Sequence, residues 1–229
     1  MITFVWSVER RQVVENARFK SAAEFAVSEI RRLILSGELE QNERIDQVQM
    51  AERLGLSRLP VRQALDRLSE QGFIRLVPHR GAVVAPLSVE DMEELYEARQ
   101  GLEDWALRAA WPRYTAALRR ELKAHLELAA AAIDRDALDD FMAANRAFHL
   151  TMYRPAGNRY LQSMIVKLYD LSERYQRTSL QRPQRMRLSD DHHRAMLNAI
   201  EAKDLDGLLQ ARAEHNGATK RTVLEATGA

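Results

Sequence analysis

The chain has 229 residues, 46% of them hydrophobic and 29% charged, which is enough for one large domain or two small ones with a sizeable core. This composition excludes a disordered chain, a collagen-like repeat and a disulfide scaffold. The absence of cysteine further excludes Cys-ligated zinc and thiol nucleophiles. The net charge of +1 does not announce a nucleic-acid partner, but residues 57–81 set Arg58, Arg62, Arg67, Arg75 and Arg80 against only Asp66 and Glu70. Such a local basic segment fits a small footprint on DNA, and it equally describes a solvated face.

Residues 1–20 show no sustained period and read as a flexible arm. The opening MITFVW is too short for a signal segment, and the apolar runs are too short to cross a bilayer, so a cytoplasmic protein without a membrane partner is expected. Ser21 with Glu24 forms a capping box that opens a helix carrying Phe25, Ile30, Leu33 and Ile34 and stopping at Gly37. The stretch 38–44 reads as a polar turn. A short helix is predicted over Gln47–Leu54, ended by Gly55. Ser57 is expected to cap the next, with Pro60 in its first turn and Val61, Leu65 and Leu68 inward, up to Gly72. Phe73–Val77 and Ala82–Ala85 read as a hairpin turning at Pro78-His79-Arg80-Gly81.

Pro86 marks a boundary, beyond which no strand signal occurs. Ser88 with Asp91 starts a helix to about Trp111, and Pro112 is expected to open the next. Further helical patterns run over 112–133, 136–153, 158–180, 186–201 and 204–225. The predicted fold is therefore mainly α. An arm (1–20) precedes a small domain of three helices and a β-hairpin (21–86), and an all-helical domain of roughly six helices follows (87–229).

Two short helices joined at Gly55-Leu56-Ser57 have helix-turn-helix geometry, in which the second helix enters the major groove. Arg58 and Arg62, four residues apart, share one face opposite Val61 and Leu65. The arginine fork pairs with two acceptors of guanine. Arg80 tips the hairpin, and Gly81 allows close backbone approach to the sugar-phosphate surface.

In the helical half, five polar residues interrupt apolar stripes: Arg99, then Asn145 and His149 on one helix, His193 on another and His215 on the last. Buried polar groups require partners. Two readings stand side by side. One is a mononuclear metal site of His149, His193 and His215 with Asn145 as oxygen ligand; the other is a set of satisfied core histidines. Arg99 likewise either pairs with Glu103 on a surface or meets a desolvated anion.

The segment from Ile30 to Ser88 resembles the winged helix-turn-helix of GntR-type bacterial regulators, carried by SR-x-PVR-x-AL (Ser57–Leu65) and P-x-RG (Pro78–Gly81). The helical remainder resembles the FadR-like branch with its FCD effector domain. The resemblance implies a winged helix-turn-helix domain over 21–86 and effector binding with dimerisation over 87–229. The chain departs from the family pattern at Gln41-Asn42 in place of Pro-Gly, at Leu59 in place of Thr and at Gln63 in place of Glu. The resemblance implies DNA contacts from Gln49, Arg58, Arg62 and Arg80. FCD domains often join an inward Asp to three histidines, in motifs that Asn145-x-x-Phe148-His149 and His193-Arg194-Ala195-Met196-Leu197 match except for Asn145. A divalent metal such as Zn or Ni is thus implied, and Arg99, in R-x-x-L-E, is implied to bind an effector carboxylate. Arg146 and Asn158 are further pocket residues, the latter equally a helix cap. The expected protein is a homodimeric transcription regulator, a repressor of a two-fold operator, responding to a small carboxylate or sugar acid. A metalloenzyme on the bundle and a metal-free sensor of an acyl thioester are the alternatives.

Overall fold

A computed structural model describes residues 21–182 and 184–228, so the arm expected over 1–20 lies outside the described residues. The chain divides into two compact units between Pro86 and Leu87.

The first unit begins with α1 (Ala22–Leu35), where Ser21 Oγ accepts from the Glu24 amide at 3.2 Å. Its Ala26, Ile30 and Leu33 face the core. A strand the sequence did not announce follows. β1 (Arg44–Ile45) pairs with β3 at Arg44↔Val83 and Ile45↔Ala82. Two residues with one inward side chain are too short to show alternation inside a polar stretch. Asn42, where the family pattern has glycine, takes φ 66, a left-handed conformation that asparagine tolerates better than most residues.

Helix α2 (Gln47–Leu54) is capped by Asp46, whose Oδ1 accepts from the amides of Val48 and Gln49 at 2.8 and 3.1 Å. Gly55 ends it at φ 65. In α3 (Arg58–Glu70) the residues Val61, Ala64, Leu65 and Leu68 are buried. Ser57 occupies the N-cap position, yet its side chain makes no capping bond, contrary to the expected cap. β2 (Ile74–Val77) and β3 (Gly81–Val84) form the hairpin, in register from Ile74↔Val84 to Val77↔Gly81, and the sheet order is β1-β3-β2. Ile30, Leu33, Val61, Leu65, Phe73 and Val84 share one core, each worth about 1.5–3 kcal/mol on full burial.

The second unit is helical throughout its described residues. Helix α4 (Val89–Ala110) is capped by Ser88, which accepts from the Asp91 amide at 3.1 Å. Pro112 does not open the next helix. It lies in a 3-10 turn (Trp111–Arg113), and α5 (Ala116–Asp134) starts where Thr115 Oγ1 accepts from the Leu118 amide. Proline supplied a plausible first residue, but the capping hydroxyl three residues later fixed the start. α6 (Leu138–Tyr153), α7 (Arg159–Leu180), α8 (Arg185–Ala202) and α9 (Leu205–Thr227) complete the bundle. Its main core joins Ala106, Leu122, Phe148, Met152, Met196 and Leu208. No described helix is long and apolar enough to cross a membrane.

Candidate nucleic-acid interface and metal centre

The first unit presents its basic residues outward. Gln49 on α2, Arg58 and Arg62 on α3, and Arg80 with Gly81 at the hairpin tip are all exposed. The side chains on the opposite face of α3 fill the core, which fixes the rotation of the helix and so aims the two arginines at solvent. His79 and Gly81 take φ 62 and 76 in the hairpin turn, and the Arg80 amide donates to the Val77 carbonyl at 3.1 Å. Because Ser57 leaves the α3 terminus without a side-chain cap, the amides of the first turn keep donor capacity for an anion.

In the second unit, α6, α8 and α9 bring His149, His193 and His215 together. One ring nitrogen from each lies within 4.8 Å of the others, and all three side chains are buried. His149 Nε2 and His193 Nε2 are 3.0 Å apart. The Nδ1 atoms of all three have no hydrogen-bond partner among the described residues. Burial, reinforced by the neighbouring imidazoles and by Arg212, holds the pKa values of His149 and His215 well below the usual histidine range. Burial and then Arg212 push His193 down to about 3. The three rings are therefore neutral at physiological pH, which is the ligand form of imidazole.

Asn145, one helical turn before His149, donates through Nδ2 to Gln176 Oε1 at 3.3 Å, while its own Oδ1 is buried without a partner. Three neutral imidazoles and an orphaned amide oxygen form a donor set that suits a borderline divalent cation. The same residues packed only against one another leave several polar atoms unsatisfied.

Next to the histidines lies a charged cluster. Arg99 is 2% exposed and Glu103 1%. Arg99 Nε donates to Glu103 Oε1 at 3.0 Å and its Nη1 to Ser172 Oγ at 2.9 Å, with the guanidinium over the rings of Tyr96 and Tyr169. Burial opposes the Arg99 charge, yet the Glu103 carboxylate beside it holds its pKa above the usual value. Arg212, 1% exposed, donates from Nη2 to Glu103 Oε2 and from Nε to Tyr153 Oη at 2.6 Å. Its Nη1 is buried without a partner. Gln176 Nε2 donates to Ser172 Oγ at 2.7 Å, so one polar chain runs from Asn145 through Gln176 and Ser172 to Arg99.

Both readings of Arg99 thus hold in part: it is buried, and Glu103 is its partner inside the core. The buried face of α4 joins Met92, Tyr96, Arg99, Glu103 and Ala106, so Glu103 stands within it beside Arg99. A glutamate at the centre of a buried face is invisible to a hydrophobicity pattern. Arg212 was missed for the same reason, although it lies three residues before His215 and hence on the same side of α9. Tyr153, Tyr169, Ser172 and Gln176 also escaped notice.

Arg146 lies at the margin. It is about one-third exposed, pairs with Asp170 at 2.8 Å and has its guanidinium 5.7 Å from the Tyr169 ring. Asn158 is exposed at the start of α7, where its Oδ1 accepts from the amides of Tyr160 and Leu161 at 3.1 Å each. Those two bonds are the helix-cap reading of this residue.

Family comparisons agree with this division. Residues 22–84 match the model of bacterial regulatory proteins of the gntR family, and residues 94–218 match the FCD domain. The chain is 27% identical over 188 residues to the gluconate operon transcriptional repressor of Bacillus licheniformis, covering 80% of this chain and 77% of that protein. It is 36% identical over 110 residues to an uncharacterized HTH-type transcriptional regulator of Agrobacterium vitis, covering 46% of this chain and 64% of that protein. For an uncharacterized HTH-type regulator of Bacillus subtilis, YdhC, the match spans 65% of the relative. Among solved structures, E. coli McbR/YncC superposes with a TM-score of 0.73 at 23% identity, covering 92% of this chain and 100% of that one. Lar, which controls expression of the Listeria monocytogenes agr system, gives 0.65 at 18% identity, with 90% and 98% covered. These relatives are named as regulators, and none of these names supports the metalloenzyme alternative. With a helix-turn-helix and hairpin unit followed by a helical unit in which three helices bring a histidine cluster together, and with both halves matched by family models, the chain belongs to the GntR family of bacterial regulatory proteins and carries an FCD domain.

Proposed function

We propose that the protein is a cytoplasmic, homodimeric transcription regulator, acting as a repressor, whose grip on operator DNA is set by a small carboxylate or sugar acid bound in the second unit. Gln49, Arg58, Arg62, Arg80 and Gly81 form the contact set for double-stranded operator DNA, with the arginines of α3 in the major groove and the hairpin tip at the minor groove. One such unit makes few base contacts, so two copies on a two-fold operator supply the avidity.

The observation that carries the effector half is the charge count of the buried cluster. Two fully buried guanidinium groups face one carboxylate, and an Arg212 N–H lacks a partner, beside three neutral imidazoles. A desolvated site with surplus positive charge and unused donors favours an anion. His149, His193 and His215, with Asn145 Oδ1, would hold a divalent metal, which supplies a Lewis-acidic position for one carboxylate oxygen. Arg99 and Arg212 would take the other, and Arg146 lies at the margin. A metal-free pocket for an acyl thioester is at odds with so polar an interior.

An effector shifts operator affinity only if it binds one arrangement of the two DNA-binding units better than the other. Native mass spectrometry with metal analysis tests the assembly, reporting dimer mass, metal and any co-purified acid together. Operator binding with and without candidate acids tests the response. A chelator-free preparation without metal, whose triple histidine-to-alanine variant keeps full effector affinity, refutes the metal site. Operator affinity that no acid alters refutes the effector.

A further inference from the structure

Leu59 is 64% exposed in the first turn of α3, next to Arg58 and three residues from Arg62. It adds nothing to the core that Val61, Ala64, Leu65 and Leu68 build on the other side of the helix. A leucine left in water beside the exposed Arg58, Arg62 and Gln63 has its apolar area available for a partner. Positions 59 and 62 lie on one side of the helix and are about 4.5 Å apart along its axis, little more than one base-pair step of about 3.4 Å. Whatever base edge Arg62 reaches, Leu59 therefore meets the same or the neighbouring base pair.

Base edges in the major groove are lined with hydrogen-bond donors and acceptors, and the 5-methyl group of thymine is their one apolar feature. A leucine can neither donate nor accept, so it gains nothing from guanine, from the adenine amino group or from a phosphate, and it desolvates whichever it covers. The flanking arginines hold the helix against the polyanion and leave the leucine facing base edges.

We infer that Leu59 is a specificity residue that reads the 5-methyl group of one thymine in each operator half-site, within about one base pair of the guanine taken by an α3 arginine. This rests on the DNA-binding reading above and adds to it the base that the leucine selects.

The test uses the full chain. Operators are selected from a pool of randomised duplexes, and each thymine of the selected half-site is replaced in turn by deoxyuridine, which removes only the methyl group. Binding is measured for wild type and for Leu59→Ala at fixed salt, since phosphate contacts dominate affinity and vary with it. In the wild type, one position per half-site loses about fourfold when the methyl is removed, the value expected for one buried methyl-sized group. Leu59→Ala binds the thymine duplex about as weakly as the wild type binds the deoxyuridine duplex, and it does not distinguish the two. Because Leu59 is exposed, the variant keeps the wild-type melting curve. Selected operators whose deoxyuridine response is the same in Leu59→Ala overturn the assignment while leaving the regulator reading standing. Failure to select any duplex overturns both.

Discussion

Replacing Glu103 by Gln isolates the charge of the buried cluster while keeping its shape. Each Glu103 oxygen accepts from a different arginine, Oε1 from Arg99 and Oε2 from Arg212. The amide removes the only carboxylate paired with the two guanidinium groups among the described residues and turns one acceptor into a donor aimed at a cation. Both arginines are too deeply buried for water to compensate, at 2% and 1% exposure. Breaking a buried ion pair by removing one partner costs about 3–5 kcal/mol. For a helical unit of this size each kcal/mol lowers the melting temperature by about 2–4 °C, so a fall of roughly 6–20 °C is expected. The amide still fills the carboxylate's space, so a small carboxylate in solution can offset the two arginines only beside it, at the unpartnered Arg212 Nη1. At about a hundred times its dissociation constant, an added anion restores about 2.7 kcal/mol, more than half of the loss. Thermal unfolding followed by circular dichroism compares wild type, Glu103→Gln and the control Glu121→Gln, with and without excess acetate. Glu121 pairs with Arg154 on the surface, where such a bridge is worth at most about 1 kcal/mol. If Glu103→Gln melts within two or so degrees of the control, the two arginines do not depend on that carboxylate, and the charge count behind the effector site fails.

Further outcomes follow from the same geometry. Arg58→Ala with Arg62→Ala is expected to lower operator affinity by at least about a hundredfold, at about 1–3 kcal/mol per lost base contact, without a change in melting temperature; full retained affinity would remove α3 from the interface. Arg99→Ala should abolish the effector response and leave operator binding intact, read by operator titration with and without candidate acids. Asn145→Asp adds a carboxylate to a neutral donor set, so metal affinity measured by chelator competition should rise by at least about tenfold, and an unchanged affinity would exclude Asn145 from the ligands. In chelated protein, the buried histidines stay neutral while the unfolded chain takes up protons below pH 6.5. His193, with its pKa near 3, therefore contributes a stability loss of about 2 kcal/mol on acidification from pH 7 to pH 5. The corresponding drop in melting temperature should shrink in His193→Gln, and an identical drop in that variant would refute the neutral buried assignment.

Much of the fold was legible because its signals are local. Helix α2 spans Gln47–Leu54 and ends at Gly55 as predicted, Ser88 opens α4, and the glycines at 55 and 81 sit at positive φ where the chain must turn. Three histidines on three amphipathic helices were legible as well, since each broke an apolar stripe at a helical spacing. Their meeting within 4.8 Å was not, because nothing in the spacing of residues 149, 193 and 215 encodes how α6, α8 and α9 pack.

The sequence by itself determined the element order, the outward basic face of α3 and the residue types available to a metal or an anion, all of which follow from periodicity and capping within about four residues. Tertiary structure alone decided that Glu103 and Arg212 belong to the core and that Arg99 has a partner there. Arg99 and Glu103, four apart on one helix, read equally as a surface pair; their burial is marked by Arg212, which another helix brings to Glu103 from 109 residues along the chain.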